Sequence, residues 1–189
     1  VEFDWLALQR RAHEEFALRI AGVSDWDAPT PDSEWSVRDL VAHVVDEQRW
    51  VPHLLGGATV VAARGQLTPL GLDLAAEWQR YSSAATEAWA STPLDRPVHL
   101  SYDTVSVVDY LREQVSDVTI HAWDLARANG RDEQLDEGLV EAAWSIFAPQ
   151  KETLQASGLF ASPVPVPDDA PLQTRLLALT GRDDRAPLG

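Results

Sequence analysis

Apolar residues recur at helical spacing along most of the chain, and the breaks between these runs mark the elements. Leu8, Ala12, Phe16 and Ile20 repeat every four residues, with Trp5 extending the stripe and Arg10, Arg11, Glu14 and Glu15 off it. This predicts a first helix over 4–21, ended by Gly22. Residues 24–35 are rich in Asp, Pro, Thr and Ser and read as a loop anchored by Trp26 and Trp35. Ser36-Val37-Arg38-Asp39 then forms a shortened capping box, opening a helix with the stripe Val37, Leu40, Val41, Val44, Val45, Gln48 and Val51. Pro52 is expected to kink or end it, and Gly56-Gly57 closes the segment. Residues 58–70 read as a loop or a short helical turn.

A third helix is expected over 73–90, with Leu74, Trp78, Tyr81, Ala85 and Trp89 on one side. Pro93 and Pro97 bracket a connector, and Val98 to Tyr102 make at most a short extended piece. Ser106-Val107-Val108-Asp109 repeats the capping pattern and starts a fourth helix that runs to Asn129, with Gly130 just past its end. Its core stripe is Val108, Leu111, Val115, Val118, Ala122 and Leu125. A fifth helix over 136–156 buries Leu139, Ala143, Ile146 and Phe147 and is kinked at Pro149. Ser162-Pro163-Val164-Pro165-Val166-Pro167 reads as an extended strap. A short last helix follows from Asp169-Ala170-Pro171 to Leu179, stopped by Gly181.

The sum is an all-α chain read as one domain over 1–189: a four-helix bundle core over 1–131, then a C-terminal helix and tail over 132–189. Thirty acidic residues against fifteen Lys and Arg give a formal charge of -15. With no basic stripe to override that sign, nucleic acid and anionic membrane are poor partners. No apolar run reaches membrane-spanning length and the start lacks the marks of a secretory leader, so the expected location is cytoplasmic. The missing initiator Met suggests processing or trimming, so an earlier leader stays open. The chain has no Cys, so any thiol chemistry needs a thiol from a second molecule.

Beside the core stripe of the fourth helix runs a second one: Tyr110, Gln114, Asp117, His121, Asp124 and Ala128. Asp117 and His121 are four residues apart, about 40° around the axis. A metal site in a bundle takes imidazoles and carboxylates from facing helices. His43, mid-helix beside the core stripe of the second helix, is the best-placed third ligand, and Glu47 is a weaker substitute for Asp117. His53 lies about 15 Å of helical rise beyond His43, too far to share a metal on a straight helix. His13 reads as a partly buried or exposed histidine and His99 as a surface one. On spacing alone the plainer reading leads: His43 and His121 as satisfied core-edge histidines, with Asp117 bonding one of them.

The segments Trp35-Ser36-Val37-Arg38-Asp39-Leu40-Val41-Ala42-His43-Val44 and Asp117-x-x-x-His121-Ala122-Trp123-Asp124-Leu125-Ala126-Arg127-Ala128 resemble the actinobacterial DinB-like proteins. They are most similar to those grouped with the N-terminal domain of mycothiol-dependent maleylpyruvate isomerase. The ending from Asp169 to Arg182 resembles the tail of one such subfamily. The resemblance implies a DinB-like four-helix bundle holding a divalent metal, with His43 and His121 as ligands from the second and fourth helices. Asp117 falls where the family usually has Glu; being one methylene shorter, it binds through one oxygen, acts through water, or orients a histidine.

Two imidazoles and one carboxylate leave a coordination position open, the pattern of catalytic rather than structural sites. Zinc suits these ligands best, while Ni, Fe or Mn also fit. The resemblance implies mycothiol as the cosubstrate, its thiolate adding to a small electrophile. The isomerase has a second, C-terminal domain that the residues after the fifth helix are too few to make. Thiol transfer or conjugation is therefore a broader expectation than maleylpyruvate isomerisation itself. The competing classes are a non-catalytic metal- or ligand-binding bundle and a metal-dependent hydrolase using bound water. Asp124 and Arg127 belong to the family signature; an i,i+3 ion pair between them is the plain reading, and contact with the substrate the other. Trp123 reads as packing. The proline strap and eight Trp are compatible with a homodimer.

Overall fold

The computed structural model describes residues 2–32, 34–157 and 161–186. Position 33 of the expected loop and positions 158–160 and 187–189 of the expected tail lie outside the described residues. The elements are α1 (Trp5–Ala21), α2 (Val37–Leu55), α3 (Val60–Arg64), α4 (Leu74–Ser91), β1 (Pro97–His99), β2 (Thr104–Ser106), α5 (Val107–Ala128), α6 (Glu137–Phe147), a 3-10 turn (Ala148–Gln150), α7 (Lys151–Ser157) and α8 (Leu172–Leu179).

Side chains that satisfy free backbone N–H groups set the helix starts. Asp4 accepts from the Ala7 amide, and Asp73 accepts from the Ala76 amide, both at 3.0 Å. Ser36 and Asp39 form the full reciprocal box at the head of α2: Ser36 Oγ accepts from the Asp39 amide at 3.2 Å and Asp39 Oδ2 accepts from the Ser36 amide at 3.0 Å. Pro52 does not end α2. It sits in the last turn, where its carbonyl accepts from Gly56 N at 2.9 Å, and the chain turns at Gly57 with φ +92°.

Helices α1, α5, α2 and α4 form a ring in which each packs on the next and α4 closes on α1. The core between them includes Phe16, Leu40, Val44, Trp89 and Leu111, each fully buried. Helix α6 packs on α5 and α1, and α8 packs on α6. With α1, α2 and α6 around it, α5 is buried on every face from Val118 to Ala126, not along one stripe. The extended piece expected near Val98 is one strand of an antiparallel hairpin, with Val98 paired to Val105 and His99 to Thr104. The hairpin spans the α4–α5 connection and delivers Ser106 to cap α5. None of the described helices is long and apolar enough to cross a membrane.

Candidate metal centre

Because α2 and α5 are neighbours in the ring, His43 comes to face Asp117 and His121. His121 Nε2 lies 3.4 Å from Asp117 Oδ1, and His43 Nε2 lies 4.0 Å from Asp117 Oδ2. One donor atom from each of the three residues lies within 4.8 Å of the other two. Trp35, just before the cap of α2, covers both imidazoles; its ring centroid is 4.7 Å from that of His43 and 5.8 Å from that of His121.

Behind His121 stands Asp124, whose side chain is fully buried. His121 Nδ1 lies 3.1 Å from Asp124 Oδ2. A carboxylate only accepts, so Nδ1 carries the proton, and Nε2 is the nitrogen turned toward Asp117. Asp124 in turn receives two hydrogen bonds from Arg182, Nε to Oδ1 at 3.1 Å and Nη2 to Oδ2 at 2.7 Å. The i,i+3 pair expected between Asp124 and Arg127 does not form. Arg127 instead pairs with Glu133 at 2.9 Å, lies over the Trp123 ring and donates to the carbonyls of Asp184 and Ala186. A buried carboxylate takes the two-pronged guanidinium that best neutralises it, and that guanidinium comes from the tail.

Burial pulls the His121 imidazolium down, but Asp117 and then Asp124 outweigh it and hold its pKa well above the ordinary value. Burial also pushes the Asp117 carboxyl up, against the charge and hydrogen bond of His121 and the charges of His43 and Arg182, which keep it below the usual range. His43 is lowered, first by burial, with Asp117 opposing and the neighbouring His121 adding to the fall. These shifts favour a protonated His121 between Asp117 and Asp124, beside a His43 less readily protonated than a free imidazole.

Two nitrogens and one oxygen suit zinc and its borderline neighbours. Ligand bonds near 2.0–2.1 Å in a tetrahedron place neighbouring donors about 3.3 Å apart. His121 Nε2 and Asp117 Oδ1, 3.4 Å apart, already have that spacing, whereas His43 Nε2 lies 4.0 Å from the other Asp117 oxygen; the three donors, within 4.8 Å of one another, draw closer by side-chain shifts to share one ion. The residues fit a divalent cation.

Glu47 is one turn along α2 from His43 and is not one of the three. Its Oε2 accepts from Gln114 Nε2 at 3.3 Å, and burial, then the nearby Asp117, pushes its carboxyl up to about 7. His13, expected to be partly buried or exposed, is buried in the bundle and lowered to about 4, chiefly by that burial. His99 is exposed on β1, with Nδ1 3.0 Å from Thr104 Oγ1. Sequence reasoning missed Arg182 and the position of Trp35 over the imidazoles. Trp35 has a local signal, being adjacent to the cap of the helix that carries His43; Arg182 has none, since its partner lies 58 positions away.

Comparison with known proteins fits this architecture. Residues 9–126 match the family described as the mycothiol maleylpyruvate isomerase N-terminal domain. Two uncharacterized proteins from two strains of Mycobacterium tuberculosis are each 32% identical over 190 residues, spanning 96% of this chain and 100% of theirs. A crystal structure of a mutant of mycothiol-dependent maleylpyruvate isomerase superimposes with a TM-score of 0.62 at 17% identity, covering 85% of this chain and 74% of that one. The likeness in structure is one of fold; the matched family spans most of the bundle from α1 to α5, and the chain belongs to the mycothiol maleylpyruvate isomerase N-terminal domain family.

Proposed function

We propose that this chain binds one divalent cation through His43, Asp117 and His121. We propose further that it uses a low-molecular-weight thiol of the mycothiol kind to act on a small electrophile, as a transferase or isomerase. The observation behind this reading is the approach of the three donor groups with Asp124 already holding the far side of His121. Family membership supports the thiol, and a chain without Cys has none of its own.

A cation held there supplies a Lewis-acid position at which a thiol or water loses its proton near neutral pH. The protein's share is positioning and proton handling. Asp124 fixes the His121 ring so that Nε2 faces the site. Trp35 covers the imidazoles and limits water on that side. Glu47, raised to about 7 and held by Gln114, is suited to take a proton and return it. Zinc is the best match to the donor set, with Ni, Fe and Mn as alternatives.

The test is metal content of protein purified without chelator, repeated on His43→Ala. One tightly held divalent ion in the wild type, lost in the variant, is the expected result; a wild type without one refutes the reading. Thermal stabilisation of the metal-loaded protein by mycothiol, and not by unrelated thiols, separates thiol chemistry from a hydrolase or a binding module.

A further inference from the structure

Helix α8 ends in a turn that sends one side chain back into the bundle. The Gly181 amide donates to the Ala178 carbonyl at 3.1 Å, and the Arg182 amide donates to the Leu177 carbonyl at 2.9 Å. These are the two bonds of a Schellman motif, with Gly181 in the left-handed region at φ +81°. A side chain at 181 would also meet Ala161, whose Cβ lies 2.6 Å from where a Cβ would stand. Glycine here is therefore required twice, by the turn and by the crowding. Arg182 leaves this turn with its Nη1 donating to the Thr180 carbonyl at 2.8 Å, which fixes the guanidinium plane. Its Nε and Nη2 then meet both oxygens of Asp124.

We infer that Arg182 is a positioning residue for the metal centre, acting through Asp124 on His121. This rests on the metal-binding reading above. The chain of contacts is short and wholly buried: the side chains of Arg182, Asp124 and His121 are 7%, 0% and 6% exposed. Asp124 has two oxygens, and Oδ2 serves both the imidazole and the guanidinium. The two-pronged contact holds the carboxylate in one plane, and that plane sets the direction of the His121 ring. A partner that orients a ligand in this way changes metal affinity by about ten- to a hundred-fold. A bare charge does less than a planar fork at such a contact.

The test is a cycle of full-length variants: Arg182→Met, Arg182→Lys, Asp124→Asn, and Asp124→Asn with Arg182→Met. Each is read by competition for zinc and by the visible absorption of the cobalt(II)-loaded protein, with circular dichroism as the fold check. Expected are a ten- to hundred-fold weaker affinity and an altered cobalt band in Arg182→Met, and a smaller effect in Arg182→Lys. In the Asp124→Asn background, Arg182→Met should cost nothing further, because the two residues act in series. Should Arg182→Met fail to fold because Asp124 is left uncompensated, the paired variant against Asp124→Asn alone still decides the matter. Wild-type affinity and band in Arg182→Met, or a full independent loss in the paired variant, overturns the inference. Wild-type protein that binds no zinc or cobalt refutes the metal reading instead. The positioning role is then decided on the metal-free protein by nuclear magnetic resonance: the His121 Nδ1 proton should be protected from exchange in wild type and lose that protection in Arg182→Met. Equal protection in both overturns it.

Discussion

One line of hydrogen bonds, fed by Gln9, joins His13 to Glu47, and every donor in it points the same way. Gln9 Nε2 donates to His13 Nδ1 at 2.9 Å, so His13 Nε2–H donates to Gln48 Oε1 at 3.1 Å. Gln48 Nε2 donates to Gln114 Oε1 at 3.0 Å, and Gln114 Nε2 donates to Glu47 Oε2 at 3.3 Å. The line crosses α1, α2 and α5 and ends one turn from His43.

Its two ends titrate with opposite sign. His13 falls from 6.5 to about 4, so the unfolded chain binds the extra proton, and stability is lost as pH drops from 6.5 through 4. Glu47 rises from 4.5 to about 7, so the folded chain binds the extra proton, and stability is lost as pH climbs from 4.5 through 7. Between about pH 5 and 6.5 the two contributions largely cancel. In chelated protein, Glu47→Gln should therefore expose the histidine's loss, roughly 2 kcal/mol between pH 7 and pH 5. Urea midpoints at the two pH values measure it; a variant with the wild-type pH dependence contradicts the assignment.

Asp117→Asn should weaken zinc binding by at least about a hundred-fold, since it removes the anionic member of the set. Asp117→Glu, the longer acid, should stay within about ten-fold of wild type by the same measure. Chelator competition distinguishes them. Unchanged affinity in the Asn variant removes Asp117 from the ligand set.

Ser36→Ala removes the side-chain half of the capping box at the head of α2, the bond that Ser36 Oγ accepts from the Asp39 amide, and should cost about 1 kcal/mol. For a chain of this size that lowers the melting temperature by roughly 2–4 °C. Zinc affinity should barely move, because His43 lies two turns inside the helix. A large loss of affinity would show that the cap, with Trp35 beside it, holds the site directly.

Gly181→Ala forces a side chain into a left-handed turn against Ala161. It should cost about 2 kcal/mol or more and open residues 172–186 to protease. Wild-type proteolysis of that segment in the variant would contradict the turn described here.

The four long helices were legible because their signals are local. Caps at Ser36, Asp73 and Ser106 lie three residues from the amides they serve, and each apolar stripe reports the helix that carries it. The ring of neighbours is not local, and that is why α5 reads as having one core stripe while it is buried all round. The approach of His43 to Asp117 and His121 was anticipated from helix positions and resemblance, since α2 and α5 each present their residues at fixed spacing. Asp124 was noticed but paired with the wrong arginine. An i,i+3 neighbour is visible in sequence, whereas a guanidinium arriving from α8 is not. His13 reads as partly buried or exposed because nothing in sequence shows that Gln48 from the next helix bonds it.

The Schellman turn at Gly181 joins two equilibria that would otherwise be separate. Docking of residues 172–186 brings Arg182 to Asp124, and Asp124 holds the ring that faces the candidate site. If the centre holds a cation as proposed, this coupling is reciprocal: whatever favours the docked tail would tighten the hold on the cation by the same factor that the cation tightens the tail. The C-terminal segment would then be a thermodynamic reporter for the proposed centre, its rate of proteolysis reading out occupancy from a distant part of the chain.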